Sequence, residues 1–375
     1  MNKIYRSIGL MSGTSMDGID LALIESDGKK IIERKNFAYL PYEKDFKTRL
    51  ASLIYGSHTL RQIKDVEIEL TLLHAKLVNE FLQKNNIDKK TIDVIAFHGH
   101  TISHIPEAGI TWQIGNAHLL SHLCGIDVVA DFRVRDVALG GQGAPLVPIY
   151  HYYLFSKQSK PVVALNIGGI SNITYFDEQD SEEDIMAFDI CFGNAPLDDL
   201  MKKKFGRDFD QDGALAKSGN VDFLLADRIL QNELFHKKPP KSFDRDDFAE
   251  IVAPINSIKI EDALATFAYM HSKALAINLE FLNKKPQEIF VCGGGRKNVA
   301  LMEDMRKYIP GIKIKAVEEI GFNGDSIEAE AFAFLAIRSI LGLPISFKKT
   351  TGVCQKLPQF HSACGGTLYK SDIIS

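Results

Sequence analysis

Three glycine-rich stretches hold the residue types that bind and transfer phosphate. The first runs Gly9-Leu-Met-Ser-Gly-Thr-Ser-Met-Asp-Gly-Ile-Asp20. Gly9, Gly13 and Gly18 let the backbone come close to a ligand. Ser12, Thr14 and Ser15 add hydroxyls to backbone N–H groups, the makings of an anion-binding nest. Asp17 and Asp20 lie in the same few residues, and a carboxylate beside phosphate is repulsive unless a cation intervenes. Mg²⁺ is therefore expected, held by Asp17 directly or through water. The second stretch, Asn166-Ile-Gly-Gly-Ile-Ser-Asn-Ile-Thr174, sets Ser171, Asn172 and Thr174 around Gly168 and Gly169, a second seat for a terminal phosphate. The third, Val291-Cys-Gly-Gly-Gly-Arg-Lys-Asn298, stands between a strand and a helix, where a base or ribose can lie on the bare backbone of Gly293, Gly294 and Gly295. None matches the P-loop or the dinucleotide fingerprint, and each alone is equally a tight turn. The ordered set carries the meaning.

These turns need elements to position them. Residues 3–11, 19–26 and 31–39 read as strands around the first glycine turn, followed by helices over 43–54 and 60–85. Strands over 93–97 and 126–130 lead to the polar run 131–136 and the glycine loop 139–145. The plan then restarts: a hairpin over 161–176, a strand over 184–189, a helix over 259–283, strands over 287–292 and 312–317, and a helix over 325–341. Ile260, Leu264, Phe267, Met270, Ala274, Ile277 and Phe281 make one helical stripe along the long helix. Two halves that each open on a glycine hairpin predict duplicated α/β domains facing across a cleft. The expected domains are 1–158 and 159–345, with 346–375 a tail packing back on the first.

Composition narrows the function classes. The 375 residues suit two domains, with 45% hydrophobic and 25% charged residues. A net charge of -4 offers no basic face for nucleic acid. No apolar run reaches the roughly 18 residues of a spanning helix, so no membrane partner is expected. The start of the chain lacks a signal-peptide pattern, and the five cysteines form no C-x-x-C pair, so a cytoplasmic protein is expected. His118, His122 and Cys124 have metal-like spacing but no supporting acid or second cysteine, and zinc is not expected.

In order along the chain, these features resemble the superfamily of acetate and sugar kinases, heat-shock chaperone ATPases and actin. The fold so implied is a pair of duplicated ribonuclease-H-like (actin/hexokinase-type) domains around an ATP cleft. More narrowly, the sequence is similar to the anhydro-N-acetylmuramic acid kinase family. The resemblance rests on GLMSGTSMDGID (9–20), HGHT (98–101), QIGN (113–116), GIDVVADFR (125–133), RDVALGGQGAPLVP (135–148), LNIGGISNIT (165–174), Phe188-Asp189, CGGG (292–295) and EAEAFAFLA (328–336).

That resemblance implies ATP-dependent phosphorylation of 1,6-anhydro-N-acetylmuramic acid at O6, while water opens the 1,6-anhydro ring at C1. The products would be N-acetylmuramic acid 6-phosphate and ADP, in bacterial cell-wall recycling. It implies ATP along Ser12, Gly13, Thr14, Ser15, Met16, Asp17, Gly18 and Ile19, with Gly168, Gly169, Ser171, Asn172 and Gly293, Gly294, Gly295. The base that deprotonates water falls on Asp189, at the end of a strand. His98, Thr101, Gln142 and Glu328 would meet the sugar, and Arg133 or Arg135 its lactyl carboxylate. A homodimer is the implied assembly. The other readings are a kinase for a different sugar or acid and a non-catalytic ATP sensor. Two departures stand out. The family's Thr-Gly-Pro-Gly-Asn after the aspartate is Ile190-Cys-Phe-Gly-Asn194 here, which changes bulk beside Asp189. His100 stands where the family commonly has Gln, and a histidine can charge near neutral pH.

Overall fold

The strand that carries Gly9 is buried without a break from Ser7 to Met11, as a strand covered on both faces must be. In the computed structural model, which describes residues 3–13, 15–355, 357 and 359–371, it lies inside a six-stranded sheet. Tyr5–Met11 pairs antiparallel with Gly18–Ser26, which pairs antiparallel with Ile31–Pro41. On its other side Val94–Phe97 and then Val128–Ala130 run parallel to it. Thr367–Tyr369 closes the edge, antiparallel to Val128–Ala130. Ile8, Leu10 and Leu21 share a buried cluster with Leu70, Val78 and Phe81 of helix Leu60–Lys84.

The opposite face of this sheet receives helix Ile327–Ile340, and here the packing is backbone against backbone. Successive strand residues point to opposite faces, so Gly9 faces away from Ile8 and Leu10. A Cβ on Gly9 would lie 1.8 Å from the Ala329 carbonyl oxygen and 2.7 Å from the Ala333 nitrogen. Ala329, Ala331, Ala333 and Ala336 are fully buried, which is the small-residue surface such an approach needs. At the base of the helix the buried Glu330 accepts from Arg34 Nε (2.6 Å), Tyr150 Oη (2.6 Å) and Ser326 Oγ (2.7 Å). A buried carboxylate so saturated fixes one geometry.

The contact also moves a boundary. The chain divides into residues 1–156 with 326–375, and residues 157–325. The expected cut at 345 gives way to a return at 326, because the helix carrying Glu328 is committed to the Gly9 strand.

The second unit repeats the strand order. Val162–Ile167 pairs antiparallel with Ile170–Phe176, and that strand with Met186–Phe192. Glu288–Cys292 and Lys313–Ala316 extend the sheet in parallel on the other side. The long helix runs Ile260–Leu279, with Leu264, Phe267, Met270 and Ala274 in the core as its stripe predicts. The hairpin of His100–Ile105 with Ile110–Ile114 was not expected from its polar sequence, while helices Ala195–Phe205 and Phe223–Leu230 follow the third strand.

Two outcomes follow. Gly9→Ala should destabilise the protein by on the order of 3 kcal/mol, since backbone atoms cannot give way as a side chain can; a melting temperature equal to wild type would contradict the contact. Stability should also fall on mild acidification. Burial lowers His74, His100 and His271 to about 4 and His151 to about 3. As pH drops below the ordinary 6.5, the unfolded chain takes up protons that the folded chain refuses. Each such histidine then costs about 1.4 kcal/mol per pH unit until its folded value is reached. Urea unfolding at pH 7 and pH 5 checks this, and equal midpoints would count against it.

Candidate active site

The first glycine turn is built from within. Met16 has φ of +56°, is buried, and donates its N–H to the Gly13 carbonyl at 3.0 Å, so its side chain anchors the turn in the core. The Asp17 carbonyl accepts from the Tyr42 N–H (3.0 Å) and Tyr39 Oη (2.8 Å). Gly18 and Ile19, both buried, open the next strand. Ser12 Oγ lies 2.6 Å from Tyr42 Oη and 2.9 Å from His100 Nδ1, and it is buried. That hydroxyl serves the interior; Ser15 is the exposed one, beside the half-buried Gly13. Asp17 is exposed, with Oδ1 2.8 Å from Lys47 Nζ. Thr14 lies outside the described residues.

The second hairpin follows the same logic. Ser171 is fully buried, with Oγ 2.8 Å from His271 Nε2, whereas Asn172 stays half-buried opposite Asp189 in the strand register. The carbonyls of Gly168 and Gly169 accept from the N–H groups of Asn194 (2.7 Å) and Gly193 (2.8 Å). A Cβ on Gly193 would come within 2.2 Å of the Gly168 oxygen, so this glycine is required where it stands. In the third stretch a Cβ on Gly295 would meet Ile167 Cγ2 at 2.2 Å, while Gly294 is exposed. Arg296 frames the run, donating to Gly293 O (2.8 Å), Glu318 Oε1 (2.8 Å) and Asp325 Oδ1 (2.9 Å). Gly294 is thus the bare backbone of the three.

Asp189 is not at a strand end. It lies inside Met186–Phe192, at a register shift between Asp189 and Cys191. Such a bulge re-aims side chains next to it. Its N–H donates to the Lys241 carbonyl (3.1 Å), and its Oδ2 accepts from the Phe243 N–H (2.8 Å). Burial pushes the carboxyl up to about 7, against the Phe243 N–H and the Lys241 charge, which lower it, while Asp244 raises it. A carboxylate poised there suits a general base at neutral pH. The departing residues Ile190, Cys191 and Phe192 all point into the core, where Phe192 packs on Phe235, Phe248 and Phe267. The change of bulk beside Asp189 is absorbed by packing.

In the first unit the expected sugar contacts gather around Arg133. His98 Nδ1 donates to the Gly99 carbonyl (3.0 Å), which leaves Nε2 to accept from Arg133 Nε (3.1 Å) and Nη2 (3.0 Å). Burial and the Arg133 charge hold His98 well below its ordinary value, so it is a neutral acceptor. Arg133 Nη1 donates to the Gly143 carbonyl (2.7 Å). Burial lowers the Arg133 pKa, opposed by the Glu328 and Asp136 carboxylates, and Glu328 is exposed on the first turn of its helix. Arg135 is exposed and makes no such set, so the half-buried Arg133 is the fork.

The glycine loop has an organiser that sequence reasoning passed over. Asp136 is buried and accepts from the Gly143 N–H (2.6 Å) and Thr351 Oγ1 (2.5 Å). Gln142 donates its N–H to the Thr351 carbonyl (2.7 Å) and accepts from His104 Nε2 on its own carbonyl (2.9 Å). Thr101 Oγ1 accepts from Gln113 Nε2 (3.2 Å). The acid three residues after Arg133 was the available signal. His100, which as a histidine could have charged near neutrality, is lowered to about 4 by burial and remains neutral.

The family model of anhydro-N-acetylmuramic acid kinase matches residues 5–359. A protein of that name from Zymomonas mobilis subsp. mobilis is 42% identical, covering 92% of this chain and 96% of its own. Another from Rhizobium etli is 40% identical, covering 94% of this chain and 97% of its own. Among solved structures, a ROK family glucokinase from Streptomyces griseus in complex with glucose and AMPPNP shares 10% identity, with a TM-score of 0.40 over 88% of this chain and 98% of its own. With nearly its whole length matched in both directions, the chain belongs to the anhydro-N-acetylmuramic acid kinase family.

Proposed function

We infer that the chain phosphorylates 1,6-anhydro-N-acetylmuramic acid at O6 at the expense of ATP, with hydrolytic opening of the anhydro ring, in cell-wall recycling. The products are N-acetylmuramic acid 6-phosphate and ADP. The observation that carries this reading beyond family membership is Asp189, a carboxylate raised to about 7 one strand away from the second glycine hairpin.

The chemistry asks for a water aimed at C1 from the face opposite the leaving oxygen, as in inverting glycoside hydrolysis. Asp189 takes the proton from that water. O6 leaves as the C1–O bond breaks and is captured by the γ-phosphoryl group, so no general acid is needed. Phosphoryl transfer is chiefly positioning and charge neutralisation. In the first unit the backbone of Gly13 to Gly18 and the exposed Ser15 would receive phosphate oxygens. Asp17 would hold Mg²⁺, directly or through water, sharing its exposed carboxylate with Lys47; bound there, the ion would neutralise phosphate charge. In the second unit Gly168, Gly169 and Asn172 offer phosphate contacts and Gly294 a surface for the nucleoside. Arg133 would take the lactyl carboxylate, with neutral His98 holding the guanidinium without adding a repelling charge. Thr101, Gln142 and Glu328 would meet the sugar hydroxyls.

No helix among the described residues is long and apolar enough to cross a membrane. We assign the enzyme to the cytoplasm, where its nucleotide is abundant, and expect a homodimer; sedimentation showing monomer at every concentration would remove the latter. With residues 190–192 turned into the core, nothing in the site favours a non-catalytic sensor.

Asp189→Asn should lower kcat on the order of 10³-fold while ATP still binds; sugar-dependent ADP release at the wild-type rate would overturn the assignment. Because the base must be ionised, kcat/KM should fall about tenfold per pH unit below about 7 and level off above it. A profile flat down to pH 5 would be incompatible with Asp189 as the base. Arg133→Lys should raise the sugar KM about tenfold and leave the ATP KM alone, since a lysine cannot reproduce the planar fork.

A further inference from the structure

Lys241 is only 6% exposed, and among the described residues its Nζ has no hydrogen-bond partner. A buried ammonium without donors satisfied is costly, and replacing such a group by an apolar side chain of similar shape is often neutral or stabilising. In place of hydrogen bonds the ammonium faces the rings of Phe188 (5.8 Å), Phe243 (5.4 Å) and Phe281 (5.7 Å). Aromatic faces attract a cation without accepting its protons, so the charge is retained and left free to act at a distance.

What it acts on is set by the backbone. Lys241 and Phe243 flank Asp189 as a two-point clamp: the Lys241 carbonyl takes the Asp189 N–H, and the Phe243 N–H gives to Asp189 Oδ2. The groups whose charges reach Lys241 are Cys191 and Asp189 of the same strand and Lys237 from the preceding segment; Asp244 acts on Asp189 with the opposite sign. Cys191 is a thiol that burial pushes well above its ordinary range, so it stays neutral and Asp189 is the carboxylate in play. Burial lowers Lys241 itself to about 8, which leaves it charged at neutral pH.

We propose that Lys241 is a positioning residue for the base: boxed by Phe188, Phe243 and Phe281 and pinned beside Asp189 through the backbone, its ammonium keeps that half-buried carboxylate ionised at working pH. This inference rests on the reading of Asp189 as the base. Lysine suits the box because an arginine would bring five donors that the rings cannot satisfy.

The test uses the full chain as wild type, Lys241→Met, Lys241→Gln and Asp189→Asn, with kcat/KM for the anhydro sugar measured from about pH 5.5 to 9. Lys241→Met should fold with a melting temperature no lower than wild type. Its acid limb should move up by about one pH unit, an about tenfold loss at pH 6.5 that recovers as the pH rises. The KM for ATP should not change. Infrared titration of the Asp189 carboxyl, assigned by difference against Asp189→Asn, should show the same upward shift without turnover. An unmoved limb and an unmoved carboxyl in folded Lys241→Met, with Asp189→Asn inactive, overturn the role of Lys241 and leave the base intact. An active Asp189→Asn overturns the base instead. Lys241→Gln is measured in parallel, so that misfolding of one variant leaves the other to decide. Failure of both to fold assigns the lysine to the core and overturns the proposal.

Discussion

The close approach of backbone to backbone at glycine is the constraint on which the rest depends. In the first unit the Ala329 carbonyl sits where a Gly9 side chain would be, so helix Ile327–Ile340 can lie directly on the central strand. That seating brings Glu328 to the neighbourhood of Arg133 and lets Glu330 collect Arg34, Tyr150 and Ser326. In the second unit Gly193 meets the Gly168 carbonyl in the same manner, and the hairpin beside Asp189 is held by its own strand's continuation. Rigid glycine contacts come first; the ligand-facing atoms are what remains.

Both units turn one hairpin hydroxyl inward. Ser12 is held by His100 and Tyr42, and Ser171 by His271. Each histidine is buried and neutral, with its second ring nitrogen unpartnered among the described residues. A buried polar group is tolerated when it fixes a turn whose shape matters more than the energy it costs.

Much of this was legible in the sequence, and the limits have physical causes. The strand pattern and the three glycine runs were readable because periodicity and glycine report backbone geometry directly. Asp189 could be singled out as the candidate base through resemblance, but its mid-strand bulge was not readable, since a single extra residue leaves the apolar pattern of 186–192 almost unchanged. The inward turn of Ser12 and Ser171 was invisible because a hydroxyl in a glycine turn suits ligand and interior alike. Asp136 and Thr351 are 215 residues apart, and no local pattern can pair them. Whether His100 charges was open for a related reason: its titration is decided by burial, which belongs to the fold and not to the residue.

The interleaving of the chain has a consequence for how it is made. Residues 157–325 form one uninterrupted stretch and can condense as soon as they leave the ribosome. The unit begun first must wait, because the helix that covers its sheet and the strand Thr367–Tyr369 that closes its edge are synthesised last. Until then the parallel strand Val128–Ala130 presents an open edge and the Gly9 face is bare, an invitation to pair with another chain. The nascent enzyme is most exposed to aggregation in its oldest part, and it is the newest part that protects it.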